Sequence, residues 1–107
     1  MIAFCVNDPF VVQAWADQLG VANSIVTILA DPAGVYTKAL GLVLDDPKAL
    51  GPPTNLGHAR CRRFAAWVVD GVVRALHVCG TADDPTGSDD PSAAQPDAML
   101  QRIRSYT

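Results

Sequence analysis

Two valine-rich runs meet at Asp70-Gly71 in "FAAWVVDGVVRALHV", and that dipeptide constrains the chain more than any other. A two-residue loop between antiparallel strands needs positive φ at both turn positions, which Asp-Gly supplies. The segment therefore reads as a hairpin from Phe64 to Val78. Side chains alternate across a strand, so Phe64, Ala66 and Val68 point one way and Ala65, Trp67 and Val69 the other. A strand apolar on both faces is expected inside a sheet covered on both sides.

Upstream, "IAFCV" (Ile2 to Val6) and "SIVTILA" (Ser24 to Ala30) have the length and β-branching of strands. Between them Asn7 or Asp8 can cap a helix with Pro9 in its first turn, where a missing N–H costs nothing. Phe10, Val11, Ala14, Trp15 and Leu19 recur at helical spacing and Gly20 ends the run. "DPAG" opens a second helix through about Leu40, with Asp31 before Pro32. The alternation of strand and helix points to an α/β fold. Asp45 to Leu56 reads as a Pro- and Gly-rich loop. From Gly80 to Pro96 the composition turns to Gly, Asp, Pro, Ser and Ala, a flexible acidic loop with no packing of its own, and a last helix is expected over 97–105.

The 107 residues suit one domain, and with half of them hydrophobic and 18% charged the composition is that of a globular chain. Eight basic residues face eleven acidic ones, every one of them Asp, so there is no Glu for carboxylate catalysis and no basic face for nucleic acid. No apolar run approaches the roughly 18–20 residues of a membrane span, and no cleavable leader follows Met1. The expected partners exclude nucleic acid and membrane.

Cys5, Cys61 and Cys79 are an odd number at spacings unlike a disulfide framework, which points to a reducing compartment. A reactive cysteine needs a stabilised thiolate and solvent access. Cys61 lies between Arg60 and Arg62, with Arg63 on its own strand face, and is the candidate redox thiol; the bland alternative is a small packed hydrophobe. A strict two-residue turn places Cys79 opposite Arg62, whereas a bulge brings it opposite Cys61. His58, His77 and the cysteines lack metal-ligand spacing, and there is no phosphate-binding glycine loop and no G-x-S-x-G elbow. The expectation is no metal and no cofactor.

Three blocks carry more than local information. "VNDPFVVQAW" (Val6 to Trp15), "LADPAGVYTKALGL" (Leu29 to Leu42) and "LGHARCRRFAAWVVDGVVRALHV" (Leu56 to Val78) resemble successive blocks of the peroxiredoxin-5 type, or glutaredoxin-dependent, peroxiredoxins. The resemblance spans residues 2–79. It implies a thioredoxin-like (peroxiredoxin) α/β fold and thiol-dependent reduction of hydrogen peroxide and alkyl hydroperoxides through a cysteine sulfenic acid. Glutaredoxin with glutathione, or thioredoxin, would be the reductant. In such proteins the peroxidatic cysteine lies in a Pro-x-x-x-Thr-x-x-Cys motif, but three positions before Cys5, Cys61 and Cys79 stand Ile2, His58 and Leu76.

One residue matches the family's site: Arg63, directly before Phe64, corresponds to the arginine that holds the thiolate and polarises the peroxide. No resolving cysteine stands in "DDPSAAQPD", which implies a one-cysteine mechanism. The resemblance further implies one partial domain over 1–107, an incomplete fold lacking the N-terminal strands and the active-site helix. Unpaired strand edges would then cost about 1–3 kcal/mol per unsatisfied group. A chain truncated in this way is expected to be inactive alone. The alternative is a non-catalytic, degenerate thioredoxin-like module that binds or dimerises, since "VNDPF" and "ADPAG" lie near a homodimer contact in the family. A cytoplasmic location is expected, with an organellar one left open.

Overall fold

The computed structural model describes residues 1–44, 60–84 and 86–106. The loop expected over Asp45 to Leu56, and His58, lie outside them. The described residues form two compact units.

The first unit begins with strand β1 (Ile2–Cys5), helix α1 (Pro9–Leu19) and strand β2 (Thr27–Ala30). The strands pair in parallel from Ile2↔Thr27 to Cys5↔Ala30. Bonds from Thr27 N–H to the Met1 carbonyl and from Asp31 N–H to the Cys5 carbonyl, each 2.9 Å, carry the ladder one step beyond both ends. Helix α1 starts as its sequence predicts: the Asp8 carboxylate accepts from Phe10 N–H at 2.7 Å, and Pro9 takes the first helical position. Gly20, at φ 69°, receives the chain at the other end.

These elements correct one expectation. A fold lacking its N-terminal strand and helix is not what the chain forms, because β1 and α1 are built from residues 2–19 and β1 draws a complete ladder from β2. A second difference concerns the apolar stripe of α1. Only Val12 is buried on this helix, whereas Phe10 is 85% exposed and Trp15 and Leu19 also face solvent. A two-stranded sheet is too narrow to cover the whole stripe that helical spacing marks out.

Helix α2 (Val35–Ala39) and the short antiparallel pair β3 (Val43–Leu44) and β4 (Arg60–Cys61) complete the unit, with Val43 opposite Cys61. Leu42 and Leu44 are buried beside Thr37 and Asp31 in this unit.

The second unit is the hairpin β5 (Phe64–Val69) and β6 (Val72–Val78), a 3-10 turn (Ser92–Ala94) and helix α3 (Pro96–Arg104). Asp70 at φ 50° and Gly71 at φ 77° make the turn that the sequence requires. Val69 pairs with Val72 and Val68 with Val73; the register then shifts, so that Trp67 faces Ala75 and Phe64 faces Val78. The bulge at Arg74 moves Cys79 opposite Arg63, neither of the two alternatives that turn geometry alone offered.

One face of the hairpin is covered. Trp67 meets the Tyr106 ring edge-on at 5.2 Å, the Arg102 guanidinium lies 5.0 Å over that ring, and Ala75 is buried. On the other face Val68, Val73, Leu76 and Val78 are exposed, so β5 is not the doubly covered strand that its composition suggests. Nor is the loop after Gly80 without packing. Gly87 is buried against Cys79, the Asp84 carboxylate accepts from the Asp89 and Asp90 amides, and His77 Nδ1 meets the Ala93 carbonyl at 3.1 Å.

Gly87 is at φ 70°, and a Cβ there would stand 2.5 Å from Cys79 Cβ. Gly87→Ala is expected to destabilise the protein by about 1–3 kcal/mol through overpacking and left-handed strain. Urea unfolding checks this; an unchanged midpoint would show that the loop does not pack on Cys79.

Candidate functional site

The most closely connected polar side chains lie at the corner between β2 and α2. Asp31 follows the last residue of β2, and its carbonyl accepts from Gly34 N–H at 3.1 Å to close the turn. Gly34 is the cap residue of α2 and has no side chain to bond the first amides. The Asp31 carboxylate does so instead: Oδ1 accepts from Tyr36 N–H at 3.3 Å, and Oδ2 from Thr37 N–H at 3.0 Å and the Thr37 hydroxyl at 2.9 Å. Asp31 is 3% exposed and Thr37 1%. Burial by itself raises a carboxyl, but the bonds from Thr37, Tyr36 and Val35 outweigh it, and the Asp31 carboxyl is held below the ordinary range.

Cys61 sits on β4 opposite Val43, half-buried, and its thiol shares a hydrogen bond with the Thr37 side chain. Burial pushes this thiol up; the Thr37 bond acts downward, the Asp31 charge upward, and the net direction is up. That opposes the electrostatics inferred from Arg60 and Arg62 alone. Burial also raises Cys5. Cys79 is buried, and its Sγ donates to the Pro91 carbonyl at 3.4 Å. All three cysteines are free thiols. A cavity of about 170 Å³ beside this corner is lined by Val6, Pro32, Gly34, Thr37, Lys38 and Val43.

Arg63 belongs to the second unit, directly before β5. Its carbonyl accepts from Cys79 N–H at 2.9 Å, which fixes the backbone at that point in the hairpin ladder. Its side chain is exposed, with no hydrogen-bond or ion-pair partner among the described residues. Among the described residues no three His, Cys or Asp side chains group as metal ligands, and no helix is long and apolar enough to cross a membrane.

Sequence reasoning singled out Cys61 and Arg63 and treated Asp31 only as a helix opener. It missed Thr37. The available signal was a polar side chain six residues beyond Asp31 at a position where the short helix turns inward.

No protein-family model matches the chain. Curated relatives do: it is 42% identical over 73 residues to the chloroplastic peroxiredoxin-2E of Arabidopsis thaliana, covering 68% of this chain and 29% of that protein. It is 52% identical over 61 residues to peroxiredoxin-2C of Oryza sativa subsp. japonica, covering 56% of this chain and 33% of that protein. The chain thus spans about a third of the length of these relatives. A crystal structure of reduced Prx3 from Vibrio vulnificus in complex with hydrogen peroxide superposes with a TM-score of 0.74 at 26% identity, over 98% of this chain and 55% of that one. That match takes in nearly every residue here, the second ground for setting aside a fold without its N-terminal strand and helix. The likeness is to the peroxiredoxin and thioredoxin-like proteins at the level of the family. Among these, the chain resembles the peroxiredoxins.

Because the Asp31 carboxyl is lowered by folding, its stabilising contribution is complete above the ordinary aspartate value of about 3.9 and is lost as pH falls through the lowered value. Urea midpoints measured from neutral to acid pH should fall in that acid window, and Asp31→Asn should lower the neutral midpoint and flatten the acid fall. Parallel pH profiles for the two proteins would contradict this role.

Proposed function

We propose that the chain serves peroxiredoxin-5-type, glutaredoxin-dependent reduction of hydrogen peroxide and alkyl hydroperoxides by supplying Arg63, and that its own three thiols do not turn over peroxide. The observation that carries this reading is the Arg63-Phe64 pair, its guanidinium exposed and without a partner among the described residues, in a chain where no cysteine has Thr three residues before it. In peroxide reduction a thiolate attacks one peroxide oxygen, the O–O bond breaks, and the other oxygen leaves as water or alcohol once protonated, giving a sulfenic acid. A guanidinium supports that step by holding the thiolate and bonding the oxygens on which charge develops. Arg63 is exposed and has the donors for it.

The three cysteines are poor nucleophiles for the same step. Burial disfavours the thiolate at Cys5 and Cys61, and Cys79 is closed off from solvent. With no resolving cysteine in "DDPSAAQPD", the sulfenic acid would be reduced by glutaredoxin with glutathione or by thioredoxin.

A non-catalytic binding or dimerising module is the second reading. It is favoured by Phe10, Val35 and Tyr36, which are 85%, 64% and 67% exposed within the "VNDPF" block and just beyond "ADPAG". Large apolar side chains left in water at such positions fit a contact with a second copy. Light scattering across a concentration series distinguishes a monomer from a dimer, and Phe10→Ser should abolish any dimer found.

In a coupled assay with dithiol reductant, the chain is expected to consume hydroperoxide no faster than the blank, with Cys61→Ser identical to it. Turnover lost in Cys61→Ser would overturn this reading. Fused behind the residues of the rice relative that lie outside the match, the chain is expected to turn over peroxide, and Arg63→Ala to reduce the rate by roughly 10²–10³-fold. A fusion indifferent to Arg63 would remove the assigned role.

A further inference from the structure

Arg63 lies just outside β5, and its carbonyl accepts the Cys79 amide proton at 2.9 Å. A side chain samples a few rotamers relative to its own backbone, so the space that the guanidinium sweeps follows from where that backbone is held. The holding amide is itself braced. Cys79 is almost wholly buried, its Sγ donates to the Pro91 carbonyl at 3.4 Å, and Gly87 is buried against it. A Cβ on residue 87 would stand 2.5 Å from Cys79 Cβ and 3.3 Å from both the Cys79 carbonyl carbon and Gly80 N. None of these three atoms moves with a side-chain torsion, so room could come only from shifting the Cys79-Gly80 peptide or the backbone at Gly87.

We propose that Gly87 and Cys79 are positioning residues for Arg63: the close approach of Gly87 sets the Cys79 amide, and that amide sets the Arg63 backbone from which the guanidinium reaches the peroxide oxygens. The proposal rests on the peroxide-reducing role given to Arg63 above. Neither residue meets the peroxide, because Gly87 has no side chain and the Cys79 thiol is closed off from solvent. Cys79 thereby has a role apart from redox chemistry.

The bulge at Arg74 serves the same placement. Val68 pairs with Val73 but Trp67 with Ala75, and this shift of one residue delivers Cys79 to Arg63. In an unbroken ladder Cys79 would oppose Arg62 instead. A guanidinium that holds a thiolate and a peroxide together must be placed closely, since a displacement of about 1 Å can cost roughly 10²-fold in rate.

NMR of the full chain tests the structural half. A scalar coupling across the hydrogen bond from Cys79 N to the Arg63 carbonyl carbon is expected in the parent, and Gly87→Ala should weaken it and shift the Arg63 and Phe64 resonances. Cys79→Ala keeps the amide and the Cβ but gives up the bond to Pro91, and should move the same resonances less; it decides if Gly87→Ala does not fold. No coupling in the parent, or Arg63 resonances that stay in place, would overturn the proposal. In the fusion with the rice residues, Gly87→Ala is expected to lower kcat/KM for hydroperoxide by roughly 10–10²-fold at a temperature where it stays folded, and to cost nothing further once Arg63→Ala is present. Equal losses on both backgrounds would mark a merely structural effect and overturn the positioning role. A fusion indifferent to Arg63→Ala removes instead the reading on which that role rests.

Discussion

A carboxylate buried at the end of a strand is unfavourable unless enough donors converge on it. At Asp31 the Tyr36 and Thr37 amides and the Thr37 hydroxyl do so, with Val35 beside them, and they come from the helix that the carboxylate itself starts. The cap residue Gly34 offers no side chain, so the first turn of α2 depends on Asp31 for partners that helix starts usually find at the cap. Through Asp31 N–H the same residue continues the β1–β2 ladder. Asp31 thus ties the end of strand β2 to helix α2 in the first unit.

The second unit depends on a different constraint. Asp70-Gly71 sets the turn, but the bulge at Arg74 sets which residues meet beyond it. Shifting the ladder there brings Cys79 N–H to the Arg63 carbonyl and ends the hairpin on a fixed backbone. Cys79 then serves as packing for Gly87 and as a donor to Pro91, which holds the following loop against β6. The residue that carries the proposed chemistry is accordingly the one whose backbone the hairpin ladder holds and whose side chain is exposed.

The parts of this architecture legible in the sequence are those decided by neighbours in the chain. Asp8, Pro9 and Gly20 bound α1 because capping acts over two or three residues, and Asp-Gly fixes the turn for the same reason. What was not legible depends on contacts made across the fold. The apolar alternation of β5 marks both faces as core, yet Val68, Val73, Leu76 and Val78 stay exposed because α3 covers only the Trp67 side. Cys61 between arginines looks activated, but its burial, with the Asp31 charge beside it, pushes the thiol up. The blocks resembling peroxiredoxins were readable, since family motifs are themselves local runs. The expectation of a fold without its N-terminal strand and helix came from aligning those blocks and not from the residues, which form β1 and α1 on their own pairing and capping.

The Asp31 carboxylate organises the β2–α2 corner, and the Thr37 amide reports on it. Its N–H donates to Oδ2 at 3.0 Å from a fully buried residue. Site-resolved amide hydrogen exchange at neutral pH should place Thr37 among the slowest amides of the first unit, with protection lost in Asp31→Ala. Exchange at the rate of an unstructured amide in the parent protein would contradict the account.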